Sequence, residues 1–100
     1  MIIALNKLED FDQLTKEGKV LIDFNASWCG PCQMLAPHLE RLSQNYKDIK
    51  IISVNVDNYP ELVSKYSISS IPLLIYQVNN EIKKKSLGYI NYSQLERIIK

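Results

Sequence analysis

The chain has 100 residues, 46% apolar and 23% charged, proportions that suit one soluble globular domain over 1–100 and exclude disordered and fibrous classes. Twelve Lys and Arg stand against eleven Asp and Glu, for a net charge of +1; the balance is even along the chain, so nucleic acid is not an expected partner. The longest apolar run, Ile71 to Tyr76, contains Pro72 and is far too short to span a bilayer, which sets membrane partners aside.

Met1 to Leu5 has no basic residue ahead of it and meets Asn6-Lys7 at once. It does not read as a secretory signal, and a cytoplasmic location is expected. Ile2 to Leu5 reads as a short edge strand. Asn6 is expected to cap a helix with Glu9 reaching back, and Leu8, Phe11 and Leu14 follow at helical spacing. Gly18 ends that helix. Val20 to Phe24, interrupted by Asp23, has the near-continuous apolar pattern of a strand covered on both faces. Leu35, Leu39, Leu42 and Tyr46 then mark one face of a helix of about four turns. Pro31 suits its first position, and Pro37 is expected to kink it.

Ile51 to Val56 is the third strand, and Pro60 opens a short helix carrying Leu62, Val63 and Tyr66. Leu73 to Tyr76 and Ile82 to Leu87 are two strands around Asn79-Asn80, a pair able to take the positive φ of a hairpin turn. Asn91 caps the last helix with Gln94 three residues on, and Leu95, Ile98 and Ile99 form its apolar face. The order β-α-β-α-β, then α-β-β-α, predicts parallel strands joined by crossovers plus an antiparallel hairpin: a central mixed sheet with helices on both faces. Only Gly18, Gly30 and Gly88 are glycines, and each is expected where the backbone demands one. Lys83-Lys84-Lys85 reads as a solvated edge that discourages strand pairing.

The two cysteines, Cys29 and Cys32, are three apart. Their number leaves three readings open: a redox pair, half of a shared metal site, or two inert thiols. A closed zinc site needs four ligands, and the chain adds only His38, expected at the surface; no metal is expected. Position favours the redox pair. Cys29 follows a strand and precedes a helix, so the free N–H groups of the helix's first turn and its positive dipole end should favour the thiolate. Cys29 is therefore expected to be the more reactive thiol. Cys32, one turn further in, is expected to be less exposed and within reach to resolve a mixed disulfide.

Trp28-Cys29-Gly30-Pro31-Cys32 resembles the active-site motif of the thioredoxin family. Asp23-Phe24 ahead of it, Pro37, Asn55-Val56-Asp57, Ile71-Pro72 and Gly88 extend the resemblance from Ile2 to Ile99. It implies the thioredoxin fold, a mixed five-stranded sheet flanked by four helices. It also implies a protein-disulfide reductant that cycles between the Cys29/Cys32 dithiol and an intramolecular disulfide, without a bound cofactor. By the resemblance Cys29 is the attacking nucleophile, Cys32 the resolving thiol and Asp23 the buried carboxylate that accepts the Cys32 proton. Burial in an apolar strand fits that role by raising a carboxyl's pKa. Pro72 resembles the family's cis-proline. Trp28, Gly30, Pro31, Ile71, Pro72 and Gly88 would form the substrate groove.

The implied partners are disulfide-containing client proteins and a flavin-containing thioredoxin reductase, with the protein itself a monomer. Gly30-Pro31 resembles the reducing members of the superfamily, whereas its oxidases and isomerases usually carry a histidine between the cysteines. Such an oxidase, or a binding module with secondary redox chemistry, is the alternative. Asn25, Gln33, Ser53, Ser70 and Leu73 depart from the family's usual residues. Ser53 replaces a lysine often found near the buried carboxylate, which bears on the titration of Asp23.

Overall fold

Val20, Leu21, Ile22 and Phe24 are all fully buried, and this burial on both faces puts β2 (Lys19–Asn25) in the middle of the sheet. In the computed structural model, which describes Met1–Lys100, β2 runs parallel to β3 (Ile49–Asn55) and antiparallel to β4 (Leu73–Val78). Short β1 (Ile2–Ala4) lies outside β3, and β5 (Glu81–Leu87) lies outside β4, giving the order β1-β3-β2-β4-β5. Helices α1 (Phe11–Thr15), α2 (Gly30–Asn45), α3 (Pro60–Lys65) and α4 (Tyr92–Ile98) complete the mixed, helix-flanked sheet expected from the sequence.

Strand side chains alternate between faces, and here the alternation divides the core in two. Val20, Ile22 and Phe24 join Phe11, Ile52, Val54, Tyr59, Leu62 and Ile75 on one face. Leu21 points the other way, with Ile49, Ile51 and Leu74, against Leu35, Leu39 and Leu42 of α2 and Leu95 and Ile98 of α4. The Leu35-Leu39-Leu42 stripe is what seats α2 on the sheet, so Leu42→Ala should lower stability by roughly 2–5 kcal/mol. Chemical denaturation measures this. A loss under about 1 kcal/mol would mean the stripe is not what holds α2.

The turns follow the sequence with three exceptions. Asn79 and Asn80 take positive φ, 49° and 69°, in the β4–β5 turn, and Asn91 and Gln94 form the reciprocal cap of α4. The first helix, however, is not capped by Asn6 and Glu9. It begins as a 3-10 turn, Leu8–Asp10, behind an extended Lys7, and no side chain caps it. Asp10 N–H reaches back to Lys7 O at 3.1 Å, so the chain turns one residue later than a cap at Asn6 requires. Pro31 is the second residue of α2, not the first. Gly18 (φ +78°) and Gly88 (φ +92°) do occupy left-handed backbone, but Gly30 does not, and a Cβ there would meet nothing. Lys83, Lys84 and Lys85 line the exposed edge strand β5 as expected.

Candidate active site

Strand β2 ends at Asn25, and four residues carry the chain over the sheet end to the start of α2. Cys29 is the N-cap, in extended conformation at φ −89° and ψ 108°. Caps of this kind usually accept from the first-turn amides through a side-chain oxygen. Here the acceptor is sulfur: Cys32 N–H donates to Cys29 Sγ at 3.3 Å. The helix end thus directs a free backbone donor and the positive end of its dipole at Cys29. One turn on, Cys32 faces back, its Cα 5.3 Å from that of Cys29, and the two are joined as a disulfide. Exposure does not rank the two as the sequence suggested. Cys29 is 5% exposed and Cys32 8%, because Ala26, Val56 and Ile71 pack around the pair.

Asp23 shares the face of Leu21, two residues before it, and so points toward α2. It is only 7% exposed. Register sets Ser53 of β3 beside it on one side and Leu74 of β4 on the other. No cation is among its partners. Burial is the main influence on its carboxyl and pushes the pKa from 3.8 up to about 6, with the Asn25 hydrogen bond opposing that rise. Oδ2 accepts from Asn25 Nδ2 at 2.9 Å, and the same amide donates to Ser53 Oγ at 2.8 Å. Oδ1 is buried with no hydrogen-bond partner. Asp23, Asn25, Ser53 and Cys32 line one cleft of about 350 Å³, with Gln33 and Glu40 also in its wall.

In the sequence, Asn25 and Ser53 appeared only as departures from a family pattern. One signal could have united them. Period-two alternation puts Asn25 on the face of Asp23, and a parallel pairing of the two strands could bring Ser53 alongside.

Trp28 is 69% exposed and so is not a core residue. Its indole Nε1–H donates to Asp57 Oδ2 at 2.8 Å, and Asp57 N–H is itself held by Asn55 Oδ1 at 2.9 Å. Trp28 and Ile71 line a second, mainly apolar cleft of about 160 Å³ with Val56, Val63, Ile68 and Ser70. The Ile71–Pro72 peptide bond is cis. Ile71 O lies 4.0 Å from Cys29 Sγ, and neither Ile71 N–H nor its carbonyl has a backbone partner. Pro72 is buried, and its carbonyl accepts from Gly88 N–H at 2.8 Å. Gly30 and Pro31 sit on the exposed first turn of α2 and are not part of that cleft. His38 is turned toward Tyr89, with Nε2 2.7 Å from the phenol oxygen.

The arrangement places an exchangeable disulfide at a helix N-terminus, above a buried carboxyl and beside an apolar cleft with unpaired backbone. Comparison with known proteins agrees. The Thioredoxin family profile matches residues 2–100. Thioredoxin from Mycoplasmoides gallisepticum is 38% identical over 95 residues, covering 95% of each chain. Thioredoxin from Bacillus subtilis is 40% identical over 92 residues, 91% of this chain and 88% of that one. Among solved structures, oxidised mitochondrial thioredoxin 3 from Saccharomyces cerevisiae superposes with a TM-score of 0.88 at 34% identity, covering 98% of this chain and 92% of the yeast one.

Proposed function

The chain belongs to the thioredoxin family and is a thiol–disulfide oxidoreductase, and from that premise we propose how its residues divide the work. Cys29 attacks. Its thiolate forms a bond to one client sulfur while the client disulfide breaks and the other client sulfur leaves as a thiolate, later protonated. The observation that carries this assignment is the Cys32 N–H aimed at Cys29 Sγ from the helix end, which stabilises negative charge on that sulfur and not on Cys32.

Cys32 resolves the mixed disulfide. It gives its proton to Asp23, its sulfur attacks Cys29 Sγ, and the second client thiolate leaves. Two electrons have then passed to the client, and the protein holds the Cys29–Cys32 disulfide. Its substrates are disulfides, and a reductase partner returns two electrons and two protons to restore the dithiol. The buried, partly neutral Asp23 in the cleft it shares with Cys32 supports the acceptor role.

Client polypeptide docks in extended form against Trp28, Ile71 and cis-Pro72, with Gly30, Pro31 and Gly88 at the margins. The unpaired Ile71 peptide groups support this, since they can pair with a passing strand. Both faces of the sheet are already covered by the chain's own helices, which supports a single-domain monomer. No helix is long and apolar enough to cross a membrane. Two cysteines spaced as a redox pair, with no disulfide framework around them, suit the cytoplasm.

Insulin reduction tests the proposal. With dithiothreitol as electron source, catalytic amounts of the protein should accelerate precipitation of the freed insulin chains well above the uncatalysed rate. A rate equal to dithiothreitol alone would remove the protein-disulfide reductase reading.

A further inference from the structure

Asp23 has two carboxylate oxygens in different circumstances. Oδ2 is held by Asn25 Nδ2 at 2.9 Å, and Oδ1 is buried and unpartnered. The Asn25 amide is itself fixed. Its nitrogen also donates to Ser53 Oγ at 2.8 Å and approaches Asp23 O at 3.3 Å, so two neighbouring strands clamp it. Cys32 opens on the same cleft.

We propose that Asn25, clamped by Ser53, is a positioning residue for the resolving step: it holds Asp23 through Oδ2 and leaves Oδ1 to receive the Cys32 proton. This rests on the reading of Asp23 as proton acceptor. A neutral amide suits the task. It stabilises the ionised carboxylate by a charge-assisted hydrogen bond, yet adds no positive charge that would keep the carboxyl from taking up a proton. The opposition between burial and the Asn25 bond leaves Asp23 at about 6, near enough to neutrality to take and return a proton.

The groups around Asp23 bear this out from every side. Its register partners, Ser53 on β3 and Leu74 on β4, carry no charge. From α2 the cleft receives Cys32, Gln33 and Glu40, and from β1 it receives Ile2. Glu40 is the other ionisable carboxyl in the cleft wall, and it is exposed. The polar contact on the Asp23 carboxyl is therefore the Asn25 amide alone.

The test compares wild type, Asn25→Ala, Ser53→Ala and Asp23→Asn. Carbon-detected NMR follows the Asp23 carboxyl of the oxidised protein against pH. Rapid-quench kinetics follow closure of a preformed Cys29 mixed disulfide by Cys32 over the same range. Without the Asn25 donor, the Asp23 midpoint should rise by roughly one pH unit, and the acid limb of the closure rate should move with it. Ser53→Ala should move both the same way by less. Asp23→Asn should abolish the limb.

An Asp23 midpoint unmoved in Asn25→Ala overturns the proposal. So does a closure rate reduced equally at every pH, the mark of a merely structural role. If Asp23→Asn keeps the wild-type closure profile, it is the acceptor reading that fails, and the Asn25 proposal with it. That result is distinct from a midpoint that stays put while Asp23→Asn still abolishes the limb.

Discussion

Cys29→Ser is expected to reduce no protein disulfide above background, while Cys32→Ser is expected to accumulate a stable covalent complex with its client. The two substitutions are chemically alike and differ by one helical turn, so only position can separate them. Cys29 is the N-cap and its sulfur accepts the Cys32 amide. Serine at 29 offers a hydroxyl that does not ionise near neutrality, and the first bond to the client never forms. Serine at 32 leaves the first attack intact but supplies no sulfur to displace the client from Cys29. Non-reducing electrophoresis against a disulfide-bearing client reads both results. Complexes with Cys29→Ser and none with Cys32→Ser would reverse the assigned roles.

Asp23→Asn is expected to stabilise the protein at neutral pH and to slow its turnover there. Burial raises the folded pKa of this carboxyl to about 6 from an ordinary 3.8. Between those values the native state binds more protons than the unfolded chain, so stability falls as pH rises through the window. Above about 6 the whole penalty is present. At about 1.4 kcal/mol per pH unit it amounts to roughly 3 kcal/mol.

Asparagine carries no such penalty and can still accept from the Asn25 amide. Its own NH₂, at the place of the unpartnered Oδ1, offsets part of the gain. The variant should therefore gain about 1–2 kcal/mol at pH 7, on the order of 10 °C in melting temperature. The difference should shrink toward zero as pH falls below 4. Urea unfolding at several pH values checks this. A variant less stable than wild type at pH 7, or a difference that ignores pH, would mean the carboxylate is held favourably.

The same carboxyl shows what the sequence could reveal. Asp23 stood out as the single interruption of an apolar strand, and that interruption is the buried group found. The strand–turn–helix setting of Cys29 was equally legible, since Gly-Pro after a strand announces a helix start. Asn25 and Ser53 were visible only as departures. Their meaning depends on the register Asp23↔Ser53, which joins residues 30 apart in sequence and is fixed by how β2 and β3 pair.

Cys29 and Cys32 were expected to differ in exposure, but Ala26, Val56 and Ile71 come from three separate segments, and their closing over the pair is tertiary. The cap predicted at Asn6 failed for a local reason. The chain turns one residue later, in a 3-10 turn at Leu8–Asp10 that Asp10 N–H closes on Lys7 O, so the cap position falls on Lys7, whose side chain has no oxygen to accept with. Gly30 meets neither a tight turn nor a close neighbour, so scarcity of glycine did not by itself mean backbone need.

One Cys29/Cys32 dithiol is expected to deliver two electrons to one client disulfide. A single-turnover experiment with mass-spectrometric readout tests this most directly: fully reduced protein is mixed with excess oxidised client, quenched in acid and alkylated. The predicted result is one client disulfide opened per protein molecule, with Cys29 and Cys32 both protected from alkylation and the protein lighter by two hydrogens. Client disulfides left intact, or opened while Cys29 and Cys32 both remain free to alkylate, would contradict it.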